Sequence, residues 1–257
     1  MLQAHSFLWN YLWVAPNVFL LGLALVTWKR GLSRQFPAFL AFAILSALGD
    51  LAVFTADVAP FISPVNFWRI DWACLLLESF LKFLVIGEVF SHILNPYPSV
   101  SRLGRALITG FGTVLVFVAA FAAAFSQGDS SVRLISGFHL LEQTVFIVEL
   151  GLVVFLFLFT AYFRLSWDRH CFGVMLGFGI SACGHLATWA VVANASPSSR
   201  QRTLLAFVNM ATYHTCVLIW CYYLLVRKKL KVSKPSPALP ETNLDLWNRE
   251  LERLLQQ

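Results

Sequence analysis

The sequence predicts an all-α integral membrane protein: a seven-transmembrane-helix bundle with its N-terminus outside and its C-terminus in the cytoplasm. Three observations lead there. The chain is 58% hydrophobic and only 12% charged, with 24 Phe and 9 Trp, far from soluble usage. Seven stretches, residues 9–28, 37–57, 71–94, 103–125, 134–162, 171–193 and 203–226, are predominantly apolar. Each is long enough, at about 1.5 Å rise per residue, to cross a hydrocarbon core of about 30 Å. The basic residues, finally, gather at the ends of these stretches.

Those basic residues set the orientation. Alternate loops place Lys29, Arg30, Arg34, Arg102, Arg105, Arg164, Arg169 and the cluster at 227–231 on one side. The other side holds Arg69, Arg133, Arg200 and Arg202, and the first ten residues carry no Lys or Arg. Positive charge stays in the cytoplasm, so the N-terminus lies outside and the plasma membrane is the expected location. The net charge of +6 is topological, because no single basic patch exists for a nucleic acid. The first span lacks a basic n-region and a small-residue cleavage site, so it reads as a helix of the bundle rather than a signal peptide.

The elements follow in order along three regions. Residues 1–226 form the seven-helix domain, with Pro-, Ser- and Gly-containing loops at 60–64, 95–101, 127–131 and 196–200. Short loops make successive helices antiparallel neighbours. Residues 227–243 form a basic and Pro-rich juxtamembrane linker, suited to anionic headgroups and then to an extended path. Residues 244–257 form an amphipathic cytoplasmic tail helix, with Thr242 and Asp245 as a capping box and Leu244, Trp247, Leu251, Leu254 and Leu255 on one face. So short a helix needs a surface for its apolar stripe: the bilayer, the protein itself or a cytoplasmic protein partner. The five cysteines, Cys74, Cys171, Cys183, Cys216 and Cys221, form no CxxC pair and read as apolar packing residues.

Ionisable residues inside the spans carry the functional reading, because a charge in a bilayer is costly. In the third span Glu78 and Lys82 are four apart and share a helix face, so they are expected to pair. In the fifth, one face carries His139, Glu142 and Glu149. The second span offers Ser46 and Asp50, the sixth His185 flanked by Gly177 and Gly184, and the seventh Asn209 and His214. Counting inward at about 1.5 Å per residue puts Asp50, Glu78, Glu142 and His185 at a similar depth, roughly 10 Å from the outer surface. Lys82 and His214 fall nearer the midplane. Polar groups on five helices at related depths imply a shared cavity, since facing lipid would be prohibitive. Asp50, Glu78, Glu142 and Glu149 outnumber Lys82, so a protonated carboxyl, a charged histidine or a bound cation should balance them. Glu88, four residues before His92, reads instead as half of a local pair near the cytoplasmic end.

Candidate ligand- or proton-binding residues are therefore Asp50, Glu78, Lys82, His139, Glu142, Glu149, His185, Asn209 and His214. No cofactor is predicted. Zinc or another cation stays open on a weak set, Asp50, His139, His185 and His214, without HxxxH or HExxH spacing. Haem is disfavoured because His185 and His214 sit on helices joined by a short loop. Retinal is disfavoured because the seventh span has no lysine. A sensor or receptor-like module with a polar site in its outer half and a partner-binding tail fits best. The alternative is a proton- or cation-coupled small-molecule transporter, although no internal repeat is visible. A metal-dependent intramembrane hydrolase is a third reading, and no nucleotide loop or serine elbow points to another enzyme. Oligomeric state leaves no mark on the sequence.

Overall fold

The computed structural model describes residues 6–59, 62–94, 130–162, 167–195 and 198–226, with isolated positions Ala106, Gly110, Thr113, Phe117 and Arg253. Six α-helices and one 3-10 turn make up these residues, and no strand occurs among them. The helices are α1 (Phe7–Lys29), α2 (Pro37–Val58), α3 (Pro64–Ile93), α4 (Ser130–Tyr162), α5 (Arg169–Ala195) and α6 (Ser199–Leu225). Five of them, all but α3, are long and apolar enough to span a membrane, which marks the chain as a multi-pass integral membrane protein. The 30-residue α3 is long enough but carries Asp71, Glu78, Lys82 and Glu88. The predicted fourth span, the linker 227–243 and the tail helix 244–257 lie outside the described residues, apart from the isolated positions.

Local chemistry explains each boundary. Ser6 caps α1 by accepting from the Trp9 amide at 3.3 Å, and Ser63 caps α3 through Asn66 at 3.3 Å. Pro37 and Pro64 occupy first-turn positions, where a missing N–H is harmless. Gly31 ends the turn after α1 with φ of +72°, a left-handed conformation that glycine adopts freely. At α6, the Ser198 amide donates to Gln201 Oε1 at 2.8 Å in a capping box. Its other end is clasped by two guanidiniums. Arg30 donates to the Leu225 carbonyl at 2.8 Å, and Arg169 reaches the Val226 and Tyr222 carbonyls. Cations there satisfy orphan acceptors and meet the negative end of the helix dipole.

The helices pack as a closed ring: each touches the next from α1 to α6, and α6 returns to α1. Two neighbours run in the same direction. Lys82 of α3 meets Glu149 of α4, and one level further on Phe90 stacks on Phe155, with ring centroids 6.3 Å apart. The core lies where α2, α5 and α6 converge on Trp220. Its indole contacts Phe39, Phe42 and Phe178 edge-on at 5.3–5.7 Å, and its N–H donates to the Val174 carbonyl at 3.1 Å. Gly173, Gly177 and Gly184 let α5 approach α6 so closely that a Cβ at each would collide with Tyr223, Trp220 or Thr212. In lipid, where apolar burial drives no association, such small-residue seams hold helices together.

Candidate ionisable site between the third, fourth and fifth helices

A buried ammonium between two carboxylates lies at the centre of the site. Lys82 Nζ stands 3.0 Å from Glu78 Oε1, one turn away on α3, and 3.6 Å from Glu149 Oε2 on α4. The Lys82 side chain is 8% exposed, Glu78 25% and Glu149 0%, so enclosure deepens from one acid to the other. Neither Glu149 oxygen has a hydrogen-bond partner. An enclosed carboxylate normally collects several donors, so this one relies on the lysine alone. Phe146, one turn before Glu149, puts its ring 4.7 Å from Lys82 Nζ and adds a cation–π contact.

The chain of contacts continues to α5. Phe146 stacks on the His185 imidazole with centroids 4.1 Å apart, and His185 Nδ1 lies 3.9 Å from Glu142 Oε1. Glu142 and His185 are each about one-fifth exposed, so this pair forms the more open part of the site. Glu142, Phe146 and Glu149 thus present one face of α4 to Lys82 and His185. Beyond them, the Thr188 hydroxyl lies 2.8 Å from the His185 carbonyl and 3.0 Å from Asn209 Oδ1, tying α5 to α6. Asp50 of α2 is half-buried beside Asn17, within electrostatic reach of Glu78 and Lys82. Asn17 itself is buried, donates to the Trp13 carbonyl at 2.9 Å and faces the Tyr213 hydroxyl at 3.4 Å.

Of the residues singled out from sequence, Glu78, Lys82, Glu142, Glu149 and His185 come together, with Asp50 and Asn209 at the margins. His139 lies on α4, and its side chain is outside the described residues. His214 does not join them. Its ring lies between Tyr11 and Phe19 of α1, 5.8 Å from each. Asp50, His185 and His214 form no three-ligand metal grouping; among the described residues the sole such grouping is His92, Asp168 and Cys171. Glu88 stands apart from this cluster and interacts with the charge of His92, and it has a further role that the sequence did not show. It accepts from the Ala38 and Phe39 amides at 2.9 and 3.1 Å, closing the first turn of α2 from a neighbouring helix. Sequence reasoning missed Asn17 and Tyr213. A polar residue directly after Pro16 in an apolar run was the available signal for Asn17.

At the opposite end of α5, the His170 imidazole beside Asp168, 3.2 Å away, holds that carboxyl below the usual carboxylate range. No family model matches this chain, and neither a curated protein nor a solved structure matches it significantly.

Proposed function

We propose that the protein is a sensor or receptor-like membrane module that responds to a proton or a small cationic ligand at Glu149, Lys82 and Glu78. The observation that carries this reading is the enclosed Glu149, whose oxygens lack hydrogen bonds while it shares one lysine with Glu78. The cluster holds one carboxylate more than its lysine neutralises. A proton or a bound cation would settle that imbalance. Glu142 and His185 form the more exposed approach, and Phe146 links the approach to the lysine. A change of charge at Glu149 would therefore bear on the contacts among α3, α4 and α5.

Two structural features favour a seven-span topology with the N-terminus outside. Because α3 and α4 run in parallel, Ile93 and Ser130 lie at opposite ends of the bundle, as the proposed fourth span requires. Lys29, Arg30, Arg34 and Arg169 share the end where α1 finishes, which the positive-inside rule assigns to the cytoplasm. Output through a cytoplasmic partner at residues 244–257 completes this reading.

The test is infrared difference spectroscopy of the reconstituted full chain across a pH series. A carbonyl stretch from a protonated carboxylic acid should titrate and should vanish in Glu149→Gln. An unchanged titration in that variant would remove the assignment. The same excess acid also suits a proton-coupled transporter. Substrate-dependent proton flux in proteoliposomes, retained after deletion of 244–257, would favour that second reading.

A further inference from the structure

We propose a second site, for a zinc-class divalent transition ion, at the end of the bundle where α3 finishes and α5 begins. Its ligands are His92, Asp168 and Cys171. Their donor atoms all lie within 4.8 Å of one another, although the three residues come from two separated parts of the chain. Ligands about 2.0–2.3 Å from a tetrahedral zinc stand roughly 3.3–3.8 Å apart. Closing the set around an ion therefore takes shifts on the order of 1 Å, which side-chain rotation supplies. His92 and Asp168 are exposed and Cys171 is buried, so an ion can arrive from the surface and meet the sulfur at the bottom of the site.

The surroundings fit a cation. The Phe36 ring packs against both His92 and His170, at 5.4 and 6.3 Å, and so holds the imidazoles on this side of the bundle. His170 Nδ1 lies 3.2 Å from Asp168 Oδ2, the kind of outer contact that orients a metal-binding carboxylate. Glu88 adds negative charge nearby while its oxygens stay engaged with the α2 amides. The adjacent cation, Arg169, points elsewhere: its guanidinium is occupied by the α6 carbonyls and lies over Tyr222 and Tyr223.

The donor set names the ion class. One imidazole, one carboxylate and one thiol suit zinc and its neighbours, whereas calcium and magnesium prefer all-oxygen shells. On binding, the Cys171 thiol releases its proton to solvent and the sulfur ligates as thiolate. Three protein ligands leave a fourth position for water or a ligand. Direct packing between α3 and α5 is the slimmest of the helix-to-helix contacts, so the ion would pin together two helices that otherwise meet chiefly through α4.

The experiment uses the untagged full chain in detergent, stripped of metal and titrated with Zn²⁺ and then with Co²⁺ as a spectroscopic probe. One ion per chain is expected, with a sulfur-to-cobalt charge-transfer band that Cys171→Ser abolishes. His92→Gln and Asp168→Asn should each weaken Zn²⁺ binding by about tenfold or more. Both positions are exposed and the variants should stay folded, with a modest fall in the metal-free melting temperature for Asp168→Asn from the lost His170 pair, so they decide the matter even if Cys171→Ser folds poorly. Absence of stoichiometric Zn²⁺, a Co²⁺ complex without the thiolate band, or binding undiminished in both exposed variants would each overturn the site.

Discussion

The Trp220 hub and the Lys82 cluster occupy neighbouring parts of one bundle but obey opposite rules. Around Trp220 the single polar atom is satisfied by the Val174 carbonyl, and glycines let backbone and ring meet directly. Around Lys82, one ammonium serves two acids, and the more deeply enclosed acid has no hydrogen bond. Such an imbalance contributes little to packing, because apolar replacements of similar volume are often at least as stable. The contrast separates a part of the bundle whose buried polar atom is satisfied from a part whose enclosed carboxylate is not, and the proposed proton or cation site rests on that difference.

The largest expected effect breaks the second region. Replacing Lys82 by Met strands Glu149 in an enclosed site and should cost about 3–5 kcal/mol, read as a fall in thermal stability in detergent. The contrast is sharpened by two double variants. Lys82→Met with Glu149→Gln should recover more stability than Lys82→Met with Glu78→Gln, because Glu149 is wholly enclosed and Glu78 is one-quarter exposed. Equal recovery by the two would mean that enclosure does not set the cost. Full pH response in the better double would reduce the cluster to structural glue.

Next comes the packing region. Gly177→Ala sets a Cβ against the Trp220 indole, which Phe39, Phe42 and Phe178 keep from moving. Overpacking of this kind costs about 1–3 kcal/mol. The infrared carboxyl signal of the folded variant should stay as in the parent. A loss of that signal without a loss of stability would show that the two regions are coupled.

How much of this was legible depends on whether a contact lies within one helix or between two. The Glu78–Lys82 pair follows from i,i+4 spacing, and the close approach at Gly177 and Gly184 follows from residue size. The Lys82–Glu149 contact was hidden, because it depends on how α3 and α4 are rotated about their axes. Depth could be counted from the span ends; rotation could not. Glu88 shows the same limit. Its i,i+4 neighbour was legible, whereas its acceptor role at α2 required knowing that α2 begins beside it. Truncating it, Glu88→Ala, leaves the Ala38 and Phe39 amides without their acceptor. That should cost about 1 kcal/mol in the same melt, within the range of a lost helix cap, and should leave the carboxyl titration alone.

The smallest expected effect draws the boundary of the ionisable site. His214 has a depth that suggested membership, yet its ring packs on Tyr11 and Phe19, both exposed on the outer side of α1. Its Nδ1 is buried without a hydrogen bond, and the contacts its ring makes there are those of an aromatic surface. Phenylalanine keeps that surface and removes the unsatisfied nitrogen, a replacement that is nearly neutral or slightly stabilising. His214→Phe should therefore move stability by less than about 0.5 kcal/mol, while His185→Phe should alter the pH dependence of the carboxyl signal through the lost contact with Glu142. If His214→Phe instead abolished that signal and His185→Phe did not, the site would have to be redrawn toward α1 and α6.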